Sequence, residues 1–170
     1  MTGEFVLAQL TDVHLGPLPR MGVRYANLKR ATGMINWYRT RRHVHQRVVA
    51  DRLAADAWAQ GAAHIAVTGD LCNIGLPEEH IAALAWLEGL GARERVSVIP
   101  GNHDIYSGMR GDSGVERWAP FMTSCVEGGR LSVPEDRFPT VRVLHGYGVR
   151  VALIGLNSAM ETPPLIAAGQ

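Results

Sequence analysis

Three short clusters in this 170-residue chain carry side chains able to hold a divalent cation: Asp12-Val13-His14, Gly69-Asp70 and Gly101-Asn102-His103-Asp104. Carboxylate, imidazole and amide oxygen make a mixed nitrogen and oxygen donor set. Such a set suits Mn, Fe, Zn or Mg rather than the soft sites that select copper. Singly, each cluster has a plainer use. Asp-x-His serves as a turn or helix cap, and Gly-Asp is a common turn former. Gly-Asn-His-Asp is more specific, because a turn needs the glycine and asparagine but has no use for the histidine. The conjunction decides for a metal site, since three unrelated turns rarely all carry ligand types at one sheet edge.

That shared edge follows from the elements around the clusters. Phe5–Leu10, His64–Thr68 and Val96–Ile99 read as short buried strands, each running directly into one cluster. Between the first two, Asn36 to Gln60 has helical spacing at Val44, Val48, Val49, Leu53, Ala57 and Trp58, with Gly61 as the stop. Between the second and third, Pro77-Glu78-Glu79 has the composition of a first helical turn. Ile81, Leu84, Ala85 and Leu87 continue that helix to Gly89 or Gly91. Strand, helix, strand, helix, strand predicts an α/β fold with parallel strands joined by right-handed crossover helices. In an open sheet of that kind, ligands bind outside the carboxyl ends of the strands. Asp12 and His14 point the same way if their segment stays extended. Farther along, a short helix is expected around Ser113–Met122. Val141–Leu144 and Val149–Leu156 predict two strands joined at His145-Gly146-Tyr147-Gly148.

Composition narrows the class. Hydrophobic residues make up 46% and charged residues 19%, with a net charge of +1, as in an ordinary globular domain with no field to recruit a nucleic-acid polymer. The length fits a single domain spanning residues 1–170. Cys72 and Cys125 stand far apart, which excludes a disulfide framework and argues against a zinc–cysteine site. Cys72 reads as packing, and Trp37, Trp58 and Trp86 as core anchors. The amino terminus lacks the basic and long apolar regions of a signal peptide, and no apolar run approaches the ~20 residues of a membrane span, so a cytoplasmic location is expected. Arg39 to Arg47 is a dense basic run without an acid. It is either a solvated helix start or a source of attraction for an anionic substrate or membrane headgroups through Arg39, Arg41, Arg42 and Arg47. Asn73 either supports the site by hydrogen bonding or caps a turn.

Leu10-Thr11-Asp12-Val13-His14-Leu15, Val67-Thr68-Gly69-Asp70-Leu71 and Pro100-Gly101-Asn102-His103-Asp104 resemble the first three motifs of the calcineurin-like metallophosphoesterases. The likeness is nearest to the bacterial cyclic-nucleotide phosphodiesterase-like branch, which Gly155-Leu156-Asn157-Ser158-Ala159 also resembles. The resemblance implies the N-terminal portion of a four-layer αββα sandwich with two divalent metal ions. In it Asp12 and His14 would bind the first ion, Asp70 would bridge both, and Asn102 would hold the second. His103 would sit beside the phosphate, stabilising charge or protonating the leaving alkoxide. Two cations about 3.5–4 Å apart can supply hydroxide at neutral pH and clamp both ends of an in-line displacement at phosphorus.

The family pattern continues with another histidine-bearing strand end and a Gly-His-x-His motif, neither of which precedes Gln170. The resemblance therefore implies a domain truncated at its C-terminus, with its second sheet incomplete and its metal shells unclosed. Among the remaining histidines, His43 and His45 lie two apart in the expected helix and point in different directions. His64 opens a strand at the end away from the rim, and His80 lies on an amphipathic helix. His145, in a strand-ending turn, is the one conceivable substitute. The expected function is hydrolysis of a small phosphoester, nucleotide or lipid-linked, most readily as a phosphodiesterase using metal-bound hydroxide. A pyrophosphatase acting on a nucleotide-linked lipid and a non-catalytic scaffold are the alternatives.

Overall fold

A computed structural model describes residues 4–106, 114–125 and 138–159 of the chain. Strands β1 (Val6–Leu10), β2 (Ala62–Thr68) and β3 (Val96–Ile99) form a parallel sheet in the order β1-β2-β3. Leu10 lies opposite Val67, and Thr68 opposite Ile99, so the carboxyl ends of all three strands share one rim. As the central strand, β2 is covered on both faces, and its middle residues are almost all buried.

Ile65, Val67, Val96 and Val98 point into one core, against Ala50, Ala54, Ala83, Trp86 and Leu87. The helix supplying the last three, Pro77–Leu90, begins with proline in its first turn and ends at Gly91, as expected. The Arg47–Ala59 helix lies beside it. Trp58 donates its indole N–H to the Leu90 carbonyl (2.9 Å), and Trp86 donates to Asp51 (2.8 Å). Trp37 and Trp86 are buried, as expected of anchors, and Trp58 is partly buried against the same core. Cys72 is fully buried there too, with its thiol pushed well above the ordinary range by burial and neighbouring carboxylates, which makes it inert packing.

The single helical stretch expected over 36–60 is corrected. Asn27 caps α1 (Leu28–Asn36), accepting the Arg30 N–H at 2.8 Å. A wider π-helical turn follows over Trp37–Arg41, then one helical turn, α2 (Arg42–Val44). The chain becomes extended at His45 and Gln46 before α3 (Arg47–Ala59) begins. The physical reason is the site of Trp37, which is 8% exposed and packs beside Gly16, whose position also abuts the His45 carbonyl. Periodicity located α3, but its core face is Ala50 and Ala54. Val44, Val48, Val49 and Leu53 are all exposed.

With Pro77–Leu90 numbered α4, the remaining elements are a 3-10 segment, Gly114–Phe121, and the antiparallel pair β4 (Thr140–Gly146) and β5 (Val149–Gly155). The expected helix around Ser113–Met122 thus becomes a tighter 3-10 turn, with Ser113 outside the described residues. Tyr147 and Gly148 join the pair with φ of 49° and 81°, the left-handed geometry of a two-residue hairpin turn. This small second sheet touches the parallel sheet near Phe5 and Ile99. Arg142 reaches the carbonyls of Thr123 and Arg93, and Gly155 sits against Ile99. His145 is corrected as a substitute ligand. It is exposed in β4 opposite Arg150, and neighbouring Gly146 lies against Phe5, at the amino end of β1 and away from the rim.

Candidate metal centre

Backbone pairing continues past the sheet into the rim. The N–H groups of Asp12, His14 and Leu15 donate to the carbonyls of Gly69, Asp70 and Leu71, at 3.2, 2.9 and 2.8 Å. Asp12, His14 and Asp70 all take left-handed backbone, with φ of 54°, 38° and 54°. Such conformations cost roughly 1–3 kcal/mol each and collect at functional sites. The two motif glycines allow the loops to touch. A Cβ on Gly69 would lie 2.8 Å from the Gly101 backbone, and one on Gly101 would collide with the Asp70 carboxylate. Their need is close approach rather than turn formation alone.

Three of the expected residues converge. The potential ligand atoms of His14, Asp70 and His103 lie within 4.8 Å of one another. The Nδ1–H of His14 donates to the Cys72 carbonyl at 2.8 Å, which leaves the Nε2 lone pair 3.9 Å from Asp70 Oδ2. Burial lowers the pKa of His14 to about 4, so its ring is neutral and ready to ligate. Asp70 Oδ1 accepts the backbone N–H of His103 at 2.9 Å. The Nδ1–H of His103 donates to the Asn73 carbonyl at 2.6 Å, and its ring meets that of His14 edge-on, with centroids 4.9 Å apart. Burial, reinforced by the Arg41 charge, holds the His103 pKa below its ordinary value. Two neutral imidazoles, each anchored to a carbonyl through one nitrogen, around a carboxylate fit a divalent cation of the Mn, Fe, Zn or Mg kind.

Asp12 and Asn102 occupy the same rim differently. The left-handed backbone at Asp12 and His14 ends the strand alternation, so the two side chains do not share a direction. His14 is buried, whereas Asp12 is exposed and its carboxylate accepts the Thr11 hydroxyl at 2.6 Å. Asn102 is half-buried in the turn between Gly101 and His103.

Further residues shape the site, some of them without a role assigned from the sequence. Asp104 is buried and accepts the N–H groups of Cys72 and Gly101, both at 2.8 Å, so it binds the loops after β2 and β3 to each other. Burial pushes its carboxyl pKa up to about 7. His80 is fully buried rather than on a half-exposed face, and one ring nitrogen lies 2.9 Å from the Asp104 carbonyl. Asn73 does support the site, through its carbonyl to His103 and its amide N–H to the Leu15 carbonyl. His45, leaving the helix, sets its ring against His14 with centroids 4.6 Å apart. The basic run divides. Arg39 and Arg42 are exposed, Arg47 pairs with Asp51 at 3.7 Å, and Arg41 turns inward onto the ring of His103. A wider signal marks this crossover in the sequence, since the chain has no acidic residue from Val13 to Ala50.

A family model for calcineurin-like phosphoesterases matches residues 5–155, which covers every described strand and all three rim clusters. No curated protein and no solved structure matches the chain. Among the described residues, no helix is long and apolar enough to cross a membrane. With the family's motifs folded into one rim and a His/Asp cluster at its centre, this chain belongs to the calcineurin-like phosphoesterases, metal-dependent hydrolases of phosphoric esters.

Proposed function

We propose that the protein is a phosphodiesterase of the bacterial cyclic-nucleotide phosphodiesterase-like branch, built around two divalent ions. The observation that carries this reading is the convergence of His14, Asp70 and His103 with the imidazole Nδ1 protons already committed to carbonyls. Asp12, His14, Asp70 and Asn102 would hold the ions. Asp70 suits the bridging position because an anionic carboxylate offers two oxygens, which an amide cannot. When bound, the ions would supply a hydroxide nucleophile at neutral pH and charge stabilisation at phosphorus. His103 is the catalytic group, facing the phosphoryl oxygens or the leaving oxygen through Nε2 while Asn73 holds Nδ1.

A second reading, hydrolysis of a nucleotide-linked lipid pyrophosphate at a membrane surface, is favoured by one observation. Arg39 and Arg42 are exposed beside Tyr38 and Val44, which are 51% and 66% exposed. Asp70→Ala tests the main assignment. Metal content should fall, and turnover of an aryl phosphodiester should drop roughly 100-fold or more. Unchanged turnover would overturn it.

A further inference from the structure

Arg41 is a cation delivered into the rim by a segment outside the parallel sheet. It ends the π-helical turn Trp37–Arg41, a type of helix widening often found at functional sites. Its guanidinium meets the ring of His103, with Nη2 at 3.2 Å from Nε2 and Nη1 at 3.3 Å from Nδ1. These two contacts are not equivalent. Nδ1 carries the proton donated to the Asn73 carbonyl at 2.6 Å, since that oxygen can only accept. Nη1 therefore faces an N–H and finds no acceptor there, while Nη2 donates to the lone pair of Nε2. One arm of the fork is bonded to a neutral ring, and the other meets no acceptor on it.

Among the described residues no ion pair engages this fork. The acid-free stretch from Val13 to Ala50 removes any local carboxylate partner. Guanidinium presents its donors in a plane matched to paired oxygens, and an anionic acceptor bonds it about twice as strongly as a neutral one. A half-buried guanidinium with a free arm beside the candidate metal cluster is thus poised for a planar, bidentate oxyanion.

We propose that Arg41 is a substrate-binding residue, leaving the His103 ring to clamp two non-bridging oxygens of the phosphoryl group held at the rim. This rests on the reading of the rim as a phosphoester-hydrolysing metal centre. The exchange trades a neutral acceptor for a charged one and frees Nε2 of His103. It makes the β1–β2 crossover a contributor to substrate recognition as well as a connection between strands.

The test uses the full chain loaded with Mn²⁺, titrated with inorganic phosphate by calorimetry, with Mn²⁺ affinity measured separately. Arg41→Gln should keep Mn²⁺ affinity and weaken phosphate binding about 10- to 100-fold. Arg41→Lys should recover only part of it, because an ammonium is a point charge without the fork. Arg39→Gln, on the exposed side of the same segment, should match the wild type. Wild-type phosphate affinity in Arg41→Gln overturns the proposal, as does an equal loss in Arg39→Gln, which would make the effect one of general field. Loss of Mn²⁺ binding by a folded Arg41→Gln assigns the residue to the scaffold instead. Should Arg41→Gln fail to fold, full phosphate affinity in Arg41→Lys is the overturning result. A wild-type protein that binds Mn²⁺ but no phosphate sinks the role of Arg41 alone, whereas one that binds no Mn²⁺ sinks the metal centre with it.

Discussion

The two crossovers of the parallel sheet solve the same topological problem in opposite ways. From β2 to β3 the chain uses one buried helix, α4, started by Pro77 and stopped by Gly91. From β1 to β2 it takes α1 and α3, separated by a π-helical turn and an extended step, bears only basic charge from Val13 to Ala50, and exposes much of its aliphatic surface. The second crossover holds the rim still: Glu79 and His80 on α4 bond the loops that carry Asn73 and Asp104. The first brings Arg41 and His45 to the rim from outside the sheet. Rigid support and chemical variety are thus assigned to different connections, as expected where a fixed scaffold carries adaptable loops.

The comparison breaks most visibly at Glu79. Its buried carboxylate accepts N–H groups from Asn73, Ile74 and Leu76, at 2.6, 3.2 and 2.9 Å. Glu79→Ala should cost about 3–5 kcal/mol in urea unfolding, since it strands three buried donors. A loss below 1 kcal/mol would mean that α4 does not brace the loop.

The shared strand β2 offers the next effect. His64 is buried, bonded to Ser97 at 2.8 Å, and its pKa is lowered to about 4 by burial and by the charge of Arg142. Between pH 6.5 and 4 the unfolded chain takes up a proton that the folded ring refuses. Stability therefore falls as pH drops through that window and levels off below it, by about 3 kcal/mol from this group. His64→Gln should flatten that part of the stability–pH curve, and an unchanged slope would rule the assignment out.

The smallest effects sharpen the picture of α3. Ala54 faces the core at 4% exposure, whereas Leu53 is 53% exposed. Ala54→Leu should destabilise by about 1–3 kcal/mol through overpacking, although it adds apolar surface. Leu53→Gln should stay within about 0.5 kcal/mol. Thermal unfolding of the two variants reads the contrast, and a reversed order would invert the helix face described here.

The legible parts of the fold were those with local chemical punctuation. Pro77 at a first turn, Gly61 and Gly91 after helices, and the Tyr147-Gly148 turn all act within a few residues, so β3, α4 and the hairpin emerged close to their observed bounds. The motif residues were legible by type and by the strands they follow. Their directions were not, because Asp12 and His14 adopt left-handed backbone that no alternation rule anticipates. The break at His45 depends on where Trp37 packs, a tertiary contact with no local signature, and with it went the inward turn of Arg41. The absence of acids from Val13 to Ala50 was the one sequence trace of that crossover's different character.

The ladder that runs past the strands into Asp12, His14 and Leu15 has a dynamic consequence. Amide protons in such a ladder exchange with solvent only when neighbouring pairs separate together. Because the rim loops extend the β1–β2 pairing, and Asp104 clamps Gly101 to Cys72, the donor cluster would open with the sheet as one cooperative unit. Its arrangement would then persist for as long as the sheet stays closed, ready before any ion arrives.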